Sequence, residues 1–171
     1  MIRRIVADSS CDLQRFPGAD FISVPMKIIT AQQEYVDNAQ LDVAKMAESL
    51  RQYKGHSSTA CPNASDWESA FAGADEVFAL TITSALSGSC NAAQYAKAHY
   101  ESIHPDCRIH VIDTLSTGPE MLLLIEQLYS MLQAQMHFDD ICREIAVYSQ
   151  KTHLLFLLSS VKNLSRNGRI S

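Results

Sequence analysis

The stretch EVFALTITSALSGSCNAAQYA, Glu76 to Ala96, decides the fold class. Its first seven residues, Glu76 to Ile82, form a short apolar run of the kind a buried strand shows. From Ala92 to about Ile103 the pattern becomes helical. Between the two lie Ser84, Ser87, Gly88 and Ser89, a corner of small hydroxyl side chains where strand geometry must end before helix geometry begins. A glycine in such a corner lets another group come close to the backbone.

Working outward, the same alternation recurs. IRRIVAD reads as a strand ending at Asp8, followed by the polar turn SSCD. Phe21 to Thr30, FISVPMKIIT, has the β-branched content of a strand, which Pro25 marks as an edge or a bend. Leu41 to Tyr53 places Val43, Met46, Ala47 and Leu50 at helical spacing, an amphipathic helix. Lys54 to Asn63, KGHSSTACPN, reads as a loop. Helix signals then resume, with Asn63 as a cap, Ser65 and Glu68 in a capping-box pattern, and Trp67, Ala70 and Phe71 as an apolar face.

Beyond the opening stretch, RIHVIDT is a further strand ending at Asp113, and LSTGPEMLLLIEQLYSMLQAQ a loop and long helix with Pro119 in its first turn. Asp139 or Asp140 starts another helix to about Lys151, and HLLFLLS is expected to be a last strand. Strands separated by helices require crossovers, so the class is α/β, with a mainly parallel sheet and helices on both faces. Ligands of such sheets collect outside the carboxyl ends of the strands. The polar turns after Asp8, Ile82 and Asp113 are therefore expected on one rim.

Composition narrows the function. Fourteen basic and nineteen acidic residues give a net charge of −5 with no basic cluster, which argues against a nucleic-acid surface. The five cysteines, 11, 61, 90, 107 and 142, are odd in number and contain no CxxC pair, so neither a disulfide framework nor a structural zinc site is expected. Reduced thiols in a cytoplasm are the simplest reading. The start MIRRIVADSS is too interrupted for a signal peptide, and the apolar run Leu154 to Leu158 is a quarter of a membrane span.

Two stretches carry hydroxyl donors ahead of a helix N-terminus, STACP and ALSGS. Thr59 and Ser87, with the N–H groups around Gly88, suit one carboxylate or phosphate, but spacing alone favours plain helix capping, since Ser and Thr dominate caps. Ser87 lacks the Gly-x-Ser-x-Gly setting of a nucleophile, and none of His56, His99, His104, His110, His137 and His153 can be tied to it by spacing. No P-loop pattern occurs. Asp8, Asp12, Asp37 and Asp113 suit a metal or acid/base cluster if they share the rim, but strand-end acids more often cap turns. Cys61 and Cys90 adjoin the hydroxyl stretches and are assigned to packing or pocket lining.

Taken in order, VADSSCDL, VPMKI followed by EYVD, STACP, ITSALSGSCNAA, VIDTLSTG and NLSRNGRIS resemble the DegV family from Ile5 to Ser171. The resemblance implies a bacterial fatty-acid carrier without catalysis, catalytic residues, metal or cofactor of its own. It implies one long-chain fatty acid as ligand, a cytoplasmic fatty-acid kinase as partner, and acyl-phosphate for phospholipid synthesis as the product of that kinase. No nucleic acid and no transmembrane segment are expected, with at most transient contact at a membrane surface. The family's carboxylate-binding threonine and serine match Thr59 and Ser87, beside Gly88; Ser9, Ser10, Cys61, Ser84, Ser89, Cys90, Asp113 and Thr114 are candidates for the pocket rim.

Departures from the family pattern fall beside the two matched hydroxyls. The first loop has Ala60-Cys61-Pro62-Asn63 where the family usually has Ser-Gln-Pro-Ser, Ser89 stands for the usual threonine, and Pro119-Glu120 follows STG in place of small residues. The expected organisation is a DegV-like head-group domain over 1–160 and, over 161–171, the start of a connection to a second domain essentially absent from this sequence. The alternatives are a hydrolase or phosphotransferase-related domain using the same anion rim, or a truncated, non-functional fragment.

Overall fold

The structure is a computed structural model that describes residues 1–155, 157–158 and 160–169. Its frame is a four-stranded parallel sheet in the order β2-β1-β6-β7: β1 (Arg3–Asp8), β2 (Asp20–Val24), β6 (Glu76–Thr81) and β7 (Arg108–Asp113). Pro25 does what the sequence implies. It ends β2, and the chain re-enters a second, antiparallel sheet as β3 (Lys27–Ile29), flanked by β4 (Glu34–Val36) and β5 (Ser58–Ala60).

The parallel sheet is covered on both faces because the central residues of β1, β6 and β7 are mostly apolar and alternate between two cores. Ile5, Ala7, Phe78, Leu80 and Ile112 face α4 (Pro119–Gln133) and α5 (Phe138–Ser149). Val6, Val77, Ala79, Ile109 and Val111 face α2 (Ala64–Phe71) and α3 (Ser89–Ile103), where Trp67 and Phe71 are fully buried. Strand order reverses between β1 and β6, so the carboxyl ends of these two strands form the crevice where such sheets bind ligands.

Several local expectations are corrected. The presumed loop Lys54 to Asn63 contains β5, whose three residues pair with β3 and carry no periodicity of their own. The capping box at α2 uses Asn63 and Asp66, not Ser65 and Glu68: Asn63 Oδ1 accepts from the Asp66 amide at 3.0 Å, and Asp66 Oδ2 from the Asn63 amide at 2.9 Å. The amphipathic helix appears as α1 (Val43–Gln52), capped by Asp42, yet none of its residues is buried. HLLFLLS forms no strand among its described residues, while Phe156 and Ser159 lie outside them; a short helix, α6 (Lys162–Arg166), follows. Among the described residues no helix is long and apolar enough to cross a membrane.

Candidate functional site

The rim is organised by Asp8 at the end of β1. Its side chain is fully buried, and it accepts hydrogen bonds from Ser10 Oγ at 2.5 Å, Ser89 Oγ at 2.6 Å and the Ile82 amide at 2.9 Å. Burial raises the Asp8 pKa above the usual carboxylate range, opposed by these three donors. Asp113, at the end of β7, accepts from the amides of Ser84 at 3.1 Å and Leu115 at 3.2 Å. Thr114 is buried and donates to the Thr81 carbonyl at 2.8 Å. The three polar strand ends thus meet on one rim, as their positions after parallel neighbours require.

Most rim candidates hold this frame. Ser9 is buried and accepts from the Met26 amide at 3.0 Å, anchoring the passage from β2 to β3. The Ser10 carbonyl accepts from the Gly118 amide at 2.8 Å, and Gly118 has φ 54° and ψ −123°, a conformation that suits glycine. Cys90 is buried, and that burial raises its thiol pKa. Among the described residues, no group of three or more His, Cys, Asp or Glu side chains is arranged to hold a metal, so Asp8, Asp12, Asp37 and Asp113 form no such cluster. Asp8 and Asp113 instead accept from the amides of the turns that follow β6 and β7.

Ser87 and Thr59 accept hydrogen bonds from within the protein as Ser9 does, but unlike Ser9 neither is buried. Ser87 is half-buried, and its Oγ accepts from the Ser89 amide at 3.2 Å. Thr59 is exposed in β5, and its Oγ1 accepts from the Arg169 guanidinium. With the oxygen occupied by an inward donor, each hydroxyl hydrogen is left to donate elsewhere. The N-cap of α3 is Gly88, which supplies no side-chain acceptor, and the first amide of the helix, that of Ser89, is capped instead by Ser87 Oγ from one residue further back. No histidine hydrogen-bonds Ser87 among the described residues; His99, for one, is 2.8 Å from Glu68.

The STACP loop and the ALSGS turn abut. A Cβ added to Gly88 would lie 3.5 Å from Cys61 Sγ, its nearest neighbour and the only one within 4 Å. Gly88 has φ −76°, so the glycine answers no backbone demand; it leaves space beside the main chain. A cavity of about 440 Å³, lined in part by Thr83, Leu86, Thr114, Leu115 and Glu120, reaches the ALSGS turn at Leu86 but is lined by neither Thr59 nor Ser87. A larger one, about 740 Å³, lies at the opposite, amino ends of the strands around Arg3, Glu76 and Arg108, whose charges are already paired.

Arg169 is the residue that pattern reading missed. Gly168, at φ 66°, closes α6, with its own amide bonded to the Ser165 carbonyl at 2.9 Å and the Arg169 amide to the Leu164 carbonyl at 2.8 Å. That reversal carries Arg169 back toward β5. The available signal is the Asn-Gly-Arg run after a helical segment.

Residues 3–171 match the family described as "Uncharacterised protein, DegV family". This chain belongs to the DegV family. A DegV domain-containing protein of Streptococcus pneumoniae strain R6 is 44% identical over 175 residues, covering 100% of this chain and 62% of the relative. One of Streptococcus pyogenes serotype M1 is 36% identical with the same coverage. The chain therefore spans about three fifths of the length of these relatives.

Solved structures agree. The Streptococcus pneumoniae Fatty Acid Kinase (Fak) B3 protein, loaded with linoleic acid, is 44% identical with a TM-score of 0.97, covering 100% of this chain and 62% of that one. A DegV family protein from Eubacterium eligens, loaded with heptadecanoic acid, is 43% identical with a TM-score of 0.96, covering 99% of this chain and 61% of the other. Within the DegV pattern, the departure at Cys61 lies on the contact between the two loops, and the departure at Ser89 lies on the Asp8 carboxylate.

Proposed function

We propose that this DegV chain binds a long-chain fatty acid, holds its carboxylate with the Thr59 and Ser87 hydroxyls and the N–H groups near Gly88, and presents it to a fatty-acid kinase for acyl-phosphate formation. The chain itself performs no catalysis on this reading and works in the cytoplasm. Residues 1–160 are the head-group domain and 161–171 the start of the connection to a second domain, already contributing Arg169. The observation that carries the reading is the pair of hydroxyls bonded from inside, Thr59 by Arg169 and Ser87 by the Ser89 amide. Arg169 brings a positive charge to Thr59, and the first turn of α3 adds the favourable end of a helix dipole.

Affinity and orientation have different sources. Burying a saturated tail of about sixteen carbons contributes up to roughly 12 kcal/mol, at ~0.8 kcal/mol per CH₂, before ordering and association costs. A carboxylate buried without partners costs several kcal/mol, so the donors at its head mainly fix where it points. The cavity beside Leu86 supplies room next to that head group.

The test separates the two. Thr59→Ala, Ser87→Ala and Arg169→Ala are expected to lower kinase-coupled turnover by roughly tenfold each, the worth of a hydrogen bond to a charged group. The amount of copurified lipid, read by native mass spectrometry, is expected to change far less. Unchanged turnover in the Thr59→Ala/Ser87→Ala double variant would remove the carboxylate assignment.

A further inference from the structure

We propose that Asp8 is a positioning residue for the head-group site, setting the place of the Ser87 hydroxyl by clamping both ends of the turn that carries it. The inference rests on the reading of Ser87 as a carboxylate donor. The turn leaves β6 at Ile82 and enters α3 at Ser89. A single oxygen, Asp8 Oδ2, accepts from the Ile82 amide at 2.9 Å and from Ser89 Oγ at 2.6 Å. Ser89 in turn donates its amide to Ser87 Oγ at 3.2 Å. The chain of contacts therefore runs Asp8, Ser89, Ser87, from the central strand to the ligand edge.

The other carboxylate oxygen is held from a third direction by Ser10 Oγ, at 2.5 Å. Asp8 is fully buried, and among the described residues no cation forms a salt bridge with it. A buried carboxylate without a counter-ion is costly, and an apolar side chain would serve packing better. What a carboxylate offers here is acceptor capacity: every contact it makes is to a donor. An asparagine can keep both Oδ2 contacts with its one oxygen and aim its NH₂ at Ser10 Oγ, which also accepts, so releasing the clamp takes a side chain without an acceptor, such as leucine. Because β1 lies at the centre of the sheet, at the point where strand order reverses, Asp8 is anchored by the most deeply buried part of the fold.

A merely structural role predicts lost stability alone, whereas positioning predicts a displaced head group in a folded protein. The probe is palmitic acid labelled with ¹³C at the carboxyl carbon, its bound resonance recorded on protein whose fold is checked by circular dichroism. Asp8→Leu and Ser89→Ala are expected to move that resonance in the direction Ser87→Ala moves it, and to lower kinase-coupled turnover by roughly tenfold. Ser89→Thr, which keeps the hydroxyl, is expected to retain the original resonance. The Asp8→Leu/Ser89→Ala double variant is expected to be no worse than the more severe single one, since both break the Asp8–Ser89 contact.

Folded Asp8→Leu protein with the original resonance, alongside a shifted Ser87→Ala, overturns the positioning role and leaves the Ser87 reading intact. An unshifted Ser87→Ala, or no bound resonance in the original protein, overturns both. If Asp8→Leu does not fold, Ser89→Ala against Ser89→Thr decides: equal resonances for the two beside a shifted Ser87→Ala overturn the proposal.

Discussion

Ser87 follows a strand in which all six residues are buried, whereas Thr59 sits in a three-residue strand in which none is. The first hydroxyl stands on β6, flanked by β1 and β7 and packed on both faces by α2 and α3 on one side and α4 and α5 on the other. The second stands on a small antiparallel sheet whose neighbouring helix, α1, has no buried residue. The difference lies in how each side is held. On the core side, position comes from buried packing and the Asp8 carboxylate. On the thin side, it comes from a long-range contact, the Arg169 guanidinium on Thr59, spanning 110 residues of sequence.

The comparison breaks first on packing. Phe78 is fully buried in the α4 and α5 core, with its ring centroid 5.0 Å from that of Phe138. Phe78→Ala is expected to cost about 3–5 kcal/mol in urea unfolding, the range for a buried phenylalanine that leaves a cavity. Leu50→Ala, on α1, is expected to cost about 1 kcal/mol or less, because Leu50 is only half-buried. Equal losses at the two positions would mean that the thin side is covered as fully as the core.

The same contrast separates what the sequence made legible from what it did not. β1, β6 and β7 are readable because each carries a short cluster of apolar residues whose end is marked by a polar residue such as Asp8 or Asp113. β5 is not, since Ser58–Ala60 is held by pairing with β3 rather than by burial, and a loop composition surrounds it. Asn63 is legible as the α2 cap, but its box partner is Asp66, and the more familiar Ser65 and Glu68 pattern two residues on hides that pairing.

At the site, residue spacing alone favours helix capping, and it is the ordered DegV motifs that turn the reading toward an anion held by Thr59 and Ser87. Neither route reached Arg169, whose placement depends on the left-handed turn at Gly168 and on tertiary contact. Nor did spacing reveal Asp8 as the hub. Its partners Ser10, Ile82 and Ser89 come together only when β1 and β6 are neighbours.

A smaller effect sharpens the core side. Burial raises the folded-state pKa of Asp8 above its ordinary value of 3.8, with hydrogen bonds from Ser10, Ser89 and the Ile82 amide acting the other way. A carboxyl group whose folded pKa is raised binds its proton more tightly when folded. Its contribution to stability is fully present below 3.8 and is lost as pH rises through the raised folded value. The stability of the original protein minus that of Asp8→Asn is therefore expected to fall with rising pH across that window and then level off. A difference that rises instead would show that the three donors outweigh desolvation.

The smallest expected change in stability tests the seam between the two sides. Gly88 has an ordinary backbone conformation, and an added Cβ would meet only Cys61 Sγ, at a comfortable 3.5 Å. Gly88→Ala is accordingly expected to alter unfolding by no more than about 0.5 kcal/mol in either direction, since neither strain nor a clash opposes it. If the open space beside Gly88 is where a carboxylate approaches the main chain, the methyl occupies it, and kinase-coupled turnover falls although the fold is untouched. A Gly88→Ala protein with unchanged stability and unchanged turnover would show that the ligand keeps clear of this backbone. The two hydroxyls would then have to hold the head group without the first turn of α3.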